Sequence, residues 1–576
     1  MKNHTYTQSL AALSLMLAFA APRAEAATYS VNDNGDDIDL VPGDGLCETP
    51  TFTCTLRAAI MECNANGEAD VIELPAGNYG LSLGGSNEDF AISGDLDIRD
   101  DLVILGAGAT TTRVSAQLLT PPDRVFHVLD GVVEFSNFTI MRGSASDGGG
   151  LSNEGGDTLL VDMMLMQNSA GSQGGALFNS GSNSRLRVRD SILFSNTSSG
   201  SGGAVANRSS GILRLTRSDV RGNSAALRGG GVVNFANGDA RVLRGGMRDN
   251  TAGQAGGGIA NIDAELDLDK TRISANTANL GGGVYHEQDS ATASIVTLLT
   301  EVDNNQAIDG AGFYVRGGEV DLITAEAHDN VASGTGGGFF IDSNNNQMEL
   351  LNVAAYSNEA QNGGGVALTG RANGRSLIDK SAIYSNRAFD SGGGVFTDHP
   401  SGYLSTVVLN TTVSGNTAST LGGGLYLEAQ NGTTVQLSHV TVAENRSFAQ
   451  GDGVFVGNTF ASYEVNHVLF SDNGTNINPQ LCAGGPLKST GYNLLEDDNA
   501  CTFLSLGTDL INVGAMILAL GTPLPNAPHQ NAHELASTSP AIDGGAFNCV
   551  YARDQRGQNR PMPSPGDCDI GAIEMP

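Results

Sequence analysis

From Arg185 to Phe194 the chain alternates: Leu186 and Val188 sit between Arg185, Arg187 and Arg189, and Ile192-Leu193-Phe194 follows directly after Asp190 and Ser191. Leu213, Leu215 and Val220 play the same parts one repeat later. Alternation over runs this short predicts strands, because successive side chains of a strand face opposite ways. A helical reading needs about 10–12 unbroken residues, and the intervening glycine, Asn and Ser residues leave no such run. A third short strand is expected directly after a glycine phrase. That phrase recurs at intervals of 25–30 residues, from Gly148-Gly149-Gly150 to Gly451-Asp452-Gly453. An Asn stands upstream of each phrase but the first, from Asn168, Asn196 and Asn223 through to Asn445.

Three short strands per repeat, stacked repeat on repeat, predict an all-β parallel β-helix. Twelve turns at about 4.8 Å each make a rod on the order of 58 Å from the regular repeats. Glycine is expected at the corner because it takes positive φ freely and lets neighbouring coils approach. The Asn column is expected to stack as a ladder or to close a corner on its own backbone. A second column holds Asn153, Asn179, Asn207, Asn234 and Asn261, then His286, and becomes mostly apolar from Val315 to Val456.

Residues 137–475, with their glycine-pair phrase and nearby Asn, resemble polymorphic outer membrane protein repeats and right-handed β-helix proteins generally. The resemblance implies that fold, right-handed, and a surface or extracellular setting. It implies no chemistry.

Composition narrows the setting. A formal charge of −32, from 62 acids against 30 bases, repels nucleic acid, anionic lipid and polyanionic sugars and favours weak cation binding. Tryptophan is absent, which counts against a dedicated sugar-stacking platform, although 12 Tyr remain. Lys2, the apolar run Leu10 to Ala20 and Ala24-Glu25-Ala26 read as a secretory signal, with the mature chain beginning near Ala27. No other segment approaches the length needed to span a membrane. The seven cysteines lie only near the two ends, as in an exported chain whose irregular ends need staples. The expected pairs are Cys47–Cys54, Cys482–Cys501 and Cys549–Cys568, with Cys63 left over; spacing alone does not fix connectivity.

The organisation expected is a signal over 1–26, an N-terminal cap with irregular coils over 27–136, regular repeats over 137–475 and a C-terminal cap over 476–576. Cys54 to Asn66 is the one convincing helix, with Leu56, Ile60 and Cys63 on one face to cover the open end of the first coil. Gly43-Asp44-Gly45-Leu46-Cys47, then Cys54-Thr55-Leu56-Arg57-Ala58-Ala59-Ile60, and Gly94-Asp95-Leu96-Asp97-Ile98 further on, look like the CSLREA-type N-terminal region of secreted β-helix proteins. Ala58 and Cys63 depart from that pattern. Arg57 is expected to be buried or paired. The phrases around Asp543, Asp554-Gln555-Arg556, Arg560 and Cys568-Asp569-Ile570 resemble the choice-of-anchor domain that ends many exported β-helix proteins. There Arg556 or Arg560 is expected to pair with Asp543, Asp554, Asp569 or Glu574.

Candidate chemistry is thin. Aligning repeats on the Asn column puts Asp162 beside Asp190 and His439 beside His467, the only neighbouring pairs of acids or imidazoles worth weighing as catalytic. Asp95, Asp97, Asp100 and Asp101 form an acidic knot that could hold Ca²⁺, although EF-hand spacing is missing and solvated loop acids are the default. The leading functional reading is a secreted or cell-surface structural, adhesive or binding protein, with an unknown partner that could be carbohydrate. The alternative is a polysaccharide lyase or glycoside hydrolase.

Overall fold

The computed structural model describes residues 26–576 apart from 86–87, 289–293, 343–346, 371–374, 400–404, 431, 460, 475–479, 498–501, 522–530, 548, 550 and 563–565. The proposed signal peptide therefore lies outside the described residues. The chain winds as a right-handed parallel β-helix. One coil contains Leu177–Ser180, Arg185–Arg189, Ile192–Phe194 and the two-residue strand Thr197–Ser198. The three strands expected per repeat are present, and a fourth, very short one closes the coil. Each pairs in parallel with its counterpart in the next coil: Leu177 opposite Val205, Leu186 opposite Leu213, Leu193 opposite Val220 and Ser198 opposite Ala225. The strands after the glycines form one 15-stranded sheet in strict chain order, while the second and third strands of each coil share a 31-stranded sheet.

The interior is a stack of inward-facing apolar columns, with Leu186, Val188 and Leu193 all but inaccessible. Burial at about 25 cal/mol per Å² of apolar surface is what holds coil on coil. The corners carry the cost. Gly174, the first of its phrase, turns at φ +66°, and a Cβ on Gly175 would stand 2.2 Å from the Gly203 carbonyl oxygen of the next coil. The glycine phrase thus divides its work between a left-handed turn and a close approach. The other two corners of the coil are also left-handed, yet they use ordinary residues: Asp190, Arg217 and Arg244 at one, Ser195 and Asp249 at the other. Left-handed backbone costs a non-glycine residue roughly 1–2 kcal/mol, so these corners persist because ladders above and below fix them.

The Asn column is a ladder. Both the backbone N–H and the Nδ2–H of Asn223 donate to Oδ1 of Asn250, each at 3.0 Å, and Nδ2 also donates to the Leu193 carbonyl. The arrangement repeats from Asn168 as far as Asn473. Replacing Asn250 by Ala strips two buried donors of Asn223 of their acceptor. The expected loss is about 2–4 kcal/mol, read as a lowered denaturant midpoint with unchanged far-ultraviolet circular dichroism. The second column is a shorter ladder: Asn153, Asn179, Asn207, Asn234 and Asn261 bond in series at 2.7–2.8 Å, and Asn261 ends on His286 Nδ1 at 2.9 Å. Burial holds His286 down at about 4, so a neutral ring terminates the amides before Val315 takes over the column.

At the N-terminal end the helix α1 (Leu56–Asn66) starts on Thr55, whose hydroxyl accepts from the Ala58 N–H, and stops at Gly67 in left-handed conformation. It packs against Asp70–Leu74 and Leu96–Ile98, covering the first coils as expected. Its outer side is covered too, because every residue from Leu56 to Cys63 is buried. The segment before it wraps the helix, tied by the Cys47–Cys54 disulfide and by the Gly43 and Gly45 N–H groups on Glu62. Arg57 is fully buried on Asp36, at 2.6 Å.

At the other end the strand ladders run on to Leu510–Ile511, and described residues of the chain beyond them pack on earlier coils. They fold back along the flank. Ala515, Leu535, Ala541 and Ile570 pack on Leu469 and Leu494, Gln555 accepts from Thr412 Oγ1 at 2.6 Å, and the Ala572 N–H donates to Thr441 Oγ1 at 2.9 Å. Arg556 pairs with Asp554 and Arg560 with Glu574, the latter pair fully buried, so two of the expected ion pairs are in place. Cys549–Cys568 is formed; Cys482 is disulfide-bonded, and its expected partner Cys501 lies outside the described residues. Cys63 is free and buried.

Candidate functional site

The outward side of the 15-stranded sheet has two characters. Along most of it one column is apolar and ring-bearing: Phe178, Ala206, Val233, Ala260, Tyr285, Tyr314 and Phe340 follow one another in register. Ring centroids stand 5.3 Å apart at Tyr285–Tyr314 and 4.7 Å at Tyr314–Phe340, both face to face. Rings stacked this way cover one another's faces and present mainly edges outward, so they pack the rod and offer few faces to a ligand. Two and three coils before Phe178 the same column is ionisable: Asp97 is opposite His127, and His127 is opposite Ser152.

Around these residues lies a cleft of about 430 Å³, lined by Glu88, Asp89, Asp95, Arg124, His127 and Glu154 among others. His127 Nδ1 is 3.2 Å from Oδ1 of Asp97, which is itself fully buried and accepts the Ala91 N–H through Oδ2. The other ring nitrogen, Nε2, faces Glu154 Oε1 at 3.6 Å and has no hydrogen-bond partner. Glu154 is steadied by the Ser152 hydroxyl at 3.0 Å, and Arg124 pairs with Asp95 at 3.1 Å. Burial alone would lower His127, but Asp97 and Glu154 outweigh it and push the ring up to about 9. Asp95 is raised to about 7 by burial, with Asp97 and Asp123 adding repulsion, while the imidazole draws Glu154 down to about 2.

The acidic knot does not close on one ion. Among the described residues, Asp97 alone of its four members belongs to a convergent set, with Asp89 and His127. Asp95 turns to Arg124, Asp101 accepts the Val132 N–H of the next coil, and Asp100 accepts the Asp101 N–H. Asp162 and Asp190 both occupy left-handed corners, but Asp190 is held by Arg217 through two bonds of 2.7 and 2.6 Å. That guanidinium lowers Asp190, the opposite of what a general acid needs. His439 and His467 do stack, at 4.4 Å, but they lie buried beneath the returning C-terminal segment, with Ala546 N–H donating to His467 Nε2. Neither imidazole is open to a substrate. A second cluster, Glu301, Asp303 and His328, already has its counter-cation: Arg272 makes two 3.0 Å bonds to Asp303.

No family model matches the chain, and no curated protein is similar to it in sequence, so the resemblances stated above rest on their motifs alone. Two solved structures are similar to it. The A-module of the mannuronan C-5 epimerase AlgE6 from Azotobacter vinelandii aligns at 16% identity and a TM-score of 0.39, over 66% of this chain and 92% of that one. The pectate lyase Pel9A aligns at 11% identity and a TM-score of 0.20, over 96% and 97%. Neither likeness bears on what this chain does. The disulfides belong to an oxidising compartment, and no described helix is long and apolar enough to cross a membrane.

Proposed function

We propose that this is an exported, surface or extracellular β-helix with a binding role, and that its ligand is a glycan strand seated in the His127 cleft. The cleft carries the reading, because it is where the outward face of the sheet changes from packed rings to open acceptors and donors. Carboxylates of Glu88, Asp89 and Asp95 and the guanidinium of Arg124 suit a ligand rich in hydroxyl groups. The net charge of −32 selects against polyanions.

Titration of the full mature chain with neutral, cationic and anionic oligosaccharides tests this. Binding to a neutral or cationic glycan is expected, weakened at least tenfold by Arg124→Ala. Preference for a polyanion, or no glycan bound, defeats the reading. Release of reducing ends or unsaturated products would replace it by the lyase or hydrolase alternative.

A further inference from the structure

The pair formed by His127 and Glu154 has a spacing that hydrogen bonding does not explain. At 3.6 Å, Nε2 and Oε1 are too far apart for a hydrogen bond. Two ligand atoms on one tetrahedral ion with bonds of about 2.1 Å stand ~3.4 Å apart. His127 is 8% exposed, its Nε2 lacks a hydrogen-bond partner, and the ring lines the cleft. The Nε2–H of the protonated ring meets Glu154 only across this long gap, and a metal ion at Nε2 would displace that proton. Behind it Asp97 holds Nδ1 at 3.2 Å, the carboxylate–imidazole arrangement that fixes a metal-binding ring in orientation and tautomer. Asp89 offers a carboxylate oxygen within 4.8 Å of the Asp97 and His127 ligand atoms.

We infer that the cleft binds one divalent transition-metal ion of the zinc class, held by His127 Nε2 and Glu154, with Asp97 as the positioning carboxylate and Asp89 within reach of the ring. One imidazole with carboxylates suits zinc better than calcium, which takes six to eight oxygen ligands. The site comes from three successive coils, in the strand around Asp97, the strand around His127 and the turn that follows Ser152. It forms only when those coils are in register. The inference stands whether or not a glycan occupies the same cleft, since the metal alone is the probe.

The test is zinc chloride titrated into chelator-stripped full-length mature protein, with a competing indicator. One equivalent is expected at micromolar affinity or better. His127→Ala should abolish the tight phase and Asp97→Asn should weaken it 10- to 100-fold, while Asp190→Asn leaves it unchanged. X-ray absorption of the zinc-loaded protein should show one imidazole among nitrogen and oxygen ligands. Zinc binding that survives His127→Ala, a sulfur ligand shell, or tighter binding of calcium than of zinc would overturn the assignment. Circular dichroism of each variant separates loss of the ion from loss of the fold, and Asp97→Asn keeps the side-chain shape should His127→Ala not fold.

Discussion

Arg57→Ala is expected to cost about 3–5 kcal/mol at the N-terminal end of the rod, the range for a buried ion pair that loses one partner. Arg57 donates to both Asp36 oxygens and to the carbonyls of Ala91, Gly94 and Asp95, and is fully buried. Asp36 also accepts the Ser82 and Leu83 N–H groups, so one guanidinium ties the segment before the helix, the helix and the segment leading into the cleft. Alanine leaves the Asp36 carboxylate without its counter-charge and takes a donor from three buried carbonyls. Because coils bond only to their neighbours, the damage should be local. Hydrogen exchange should rise over α1 and residues 91–97 with little change beyond the first coils. Arg57→Lys should recover only part of the loss, since an ammonium cannot reproduce the planar fork. Unchanged protection in Arg57→Ala would show that the helix is held by its apolar contacts alone.

Acid should lift the C-terminal segment from the flank. His467 is buried and neutral when the segment is docked, its Nδ1–H donating to Asn466 Oδ1 at 2.6 Å and its Nε2 accepting from Ala546. Burial, with Arg560 adding repulsion, holds it at about 4 against an ordinary 6.5. His439 is also held well below its ordinary value by burial, by Arg560 and by His467. Both groups therefore bind protons more readily once the segment leaves. Their contribution to docking is complete above pH 6.5 and is withdrawn as the pH falls towards 4. His467 alone accounts for about 2 kcal/mol lost at pH 5. Asp569 and Glu574, raised by burial, work the other way, since they take up protons while docked. Tyr492 and Tyr551 pack on the imidazoles. Hydrogen exchange over residues 532–547 and 551–562, corrected for the intrinsic effect of pH, should rise between pH 7 and 5 before the coils open. His439→Leu removes no hydrogen bond from the ring, because neither nitrogen has one. It should flatten part of that dependence, and equal pH profiles for the two proteins would refute the mechanism.

The coil was legible because each of its determinants repeats: Asn168 to Asn445, the glycine phrases and the alternation at Leu186 and Val188 all fall in register. Arg57 and the Arg560–Glu574 pair were legible as structural ions in compact ends. The left-handed corners at Asp190, Arg217 and Lys270 were not, since side-chain identity carries no mark of φ when the ladders impose it. The cleft was missed for a different reason. Asp97 and His127 are one coil apart, but the Asn column that sets the repeat register begins only at Asn168. Matching Leu96-Asp97-Ile98 to Phe126-His127-Val128, apolar on either side of an ionisable residue, was the available signal. The return of the C-terminal segment depends on contacts such as Thr412 to Gln555, 143 residues apart, which no local pattern encodes.

Every rung of the Asn ladder points the same way, donor towards the C-terminus and acceptor towards the N-terminus, and each rung is interchangeable with the next. Length in this protein is accordingly quantised. Excising the 27 residues that separate Asn223 from Asn250 would let Asn196 meet Asn250 as it now meets Asn223, whereas excising half that number would leave no rung to meet. Gene duplications or deletions that respect the step can slide the two ends together or apart while leaving each end's own chemistry untouched.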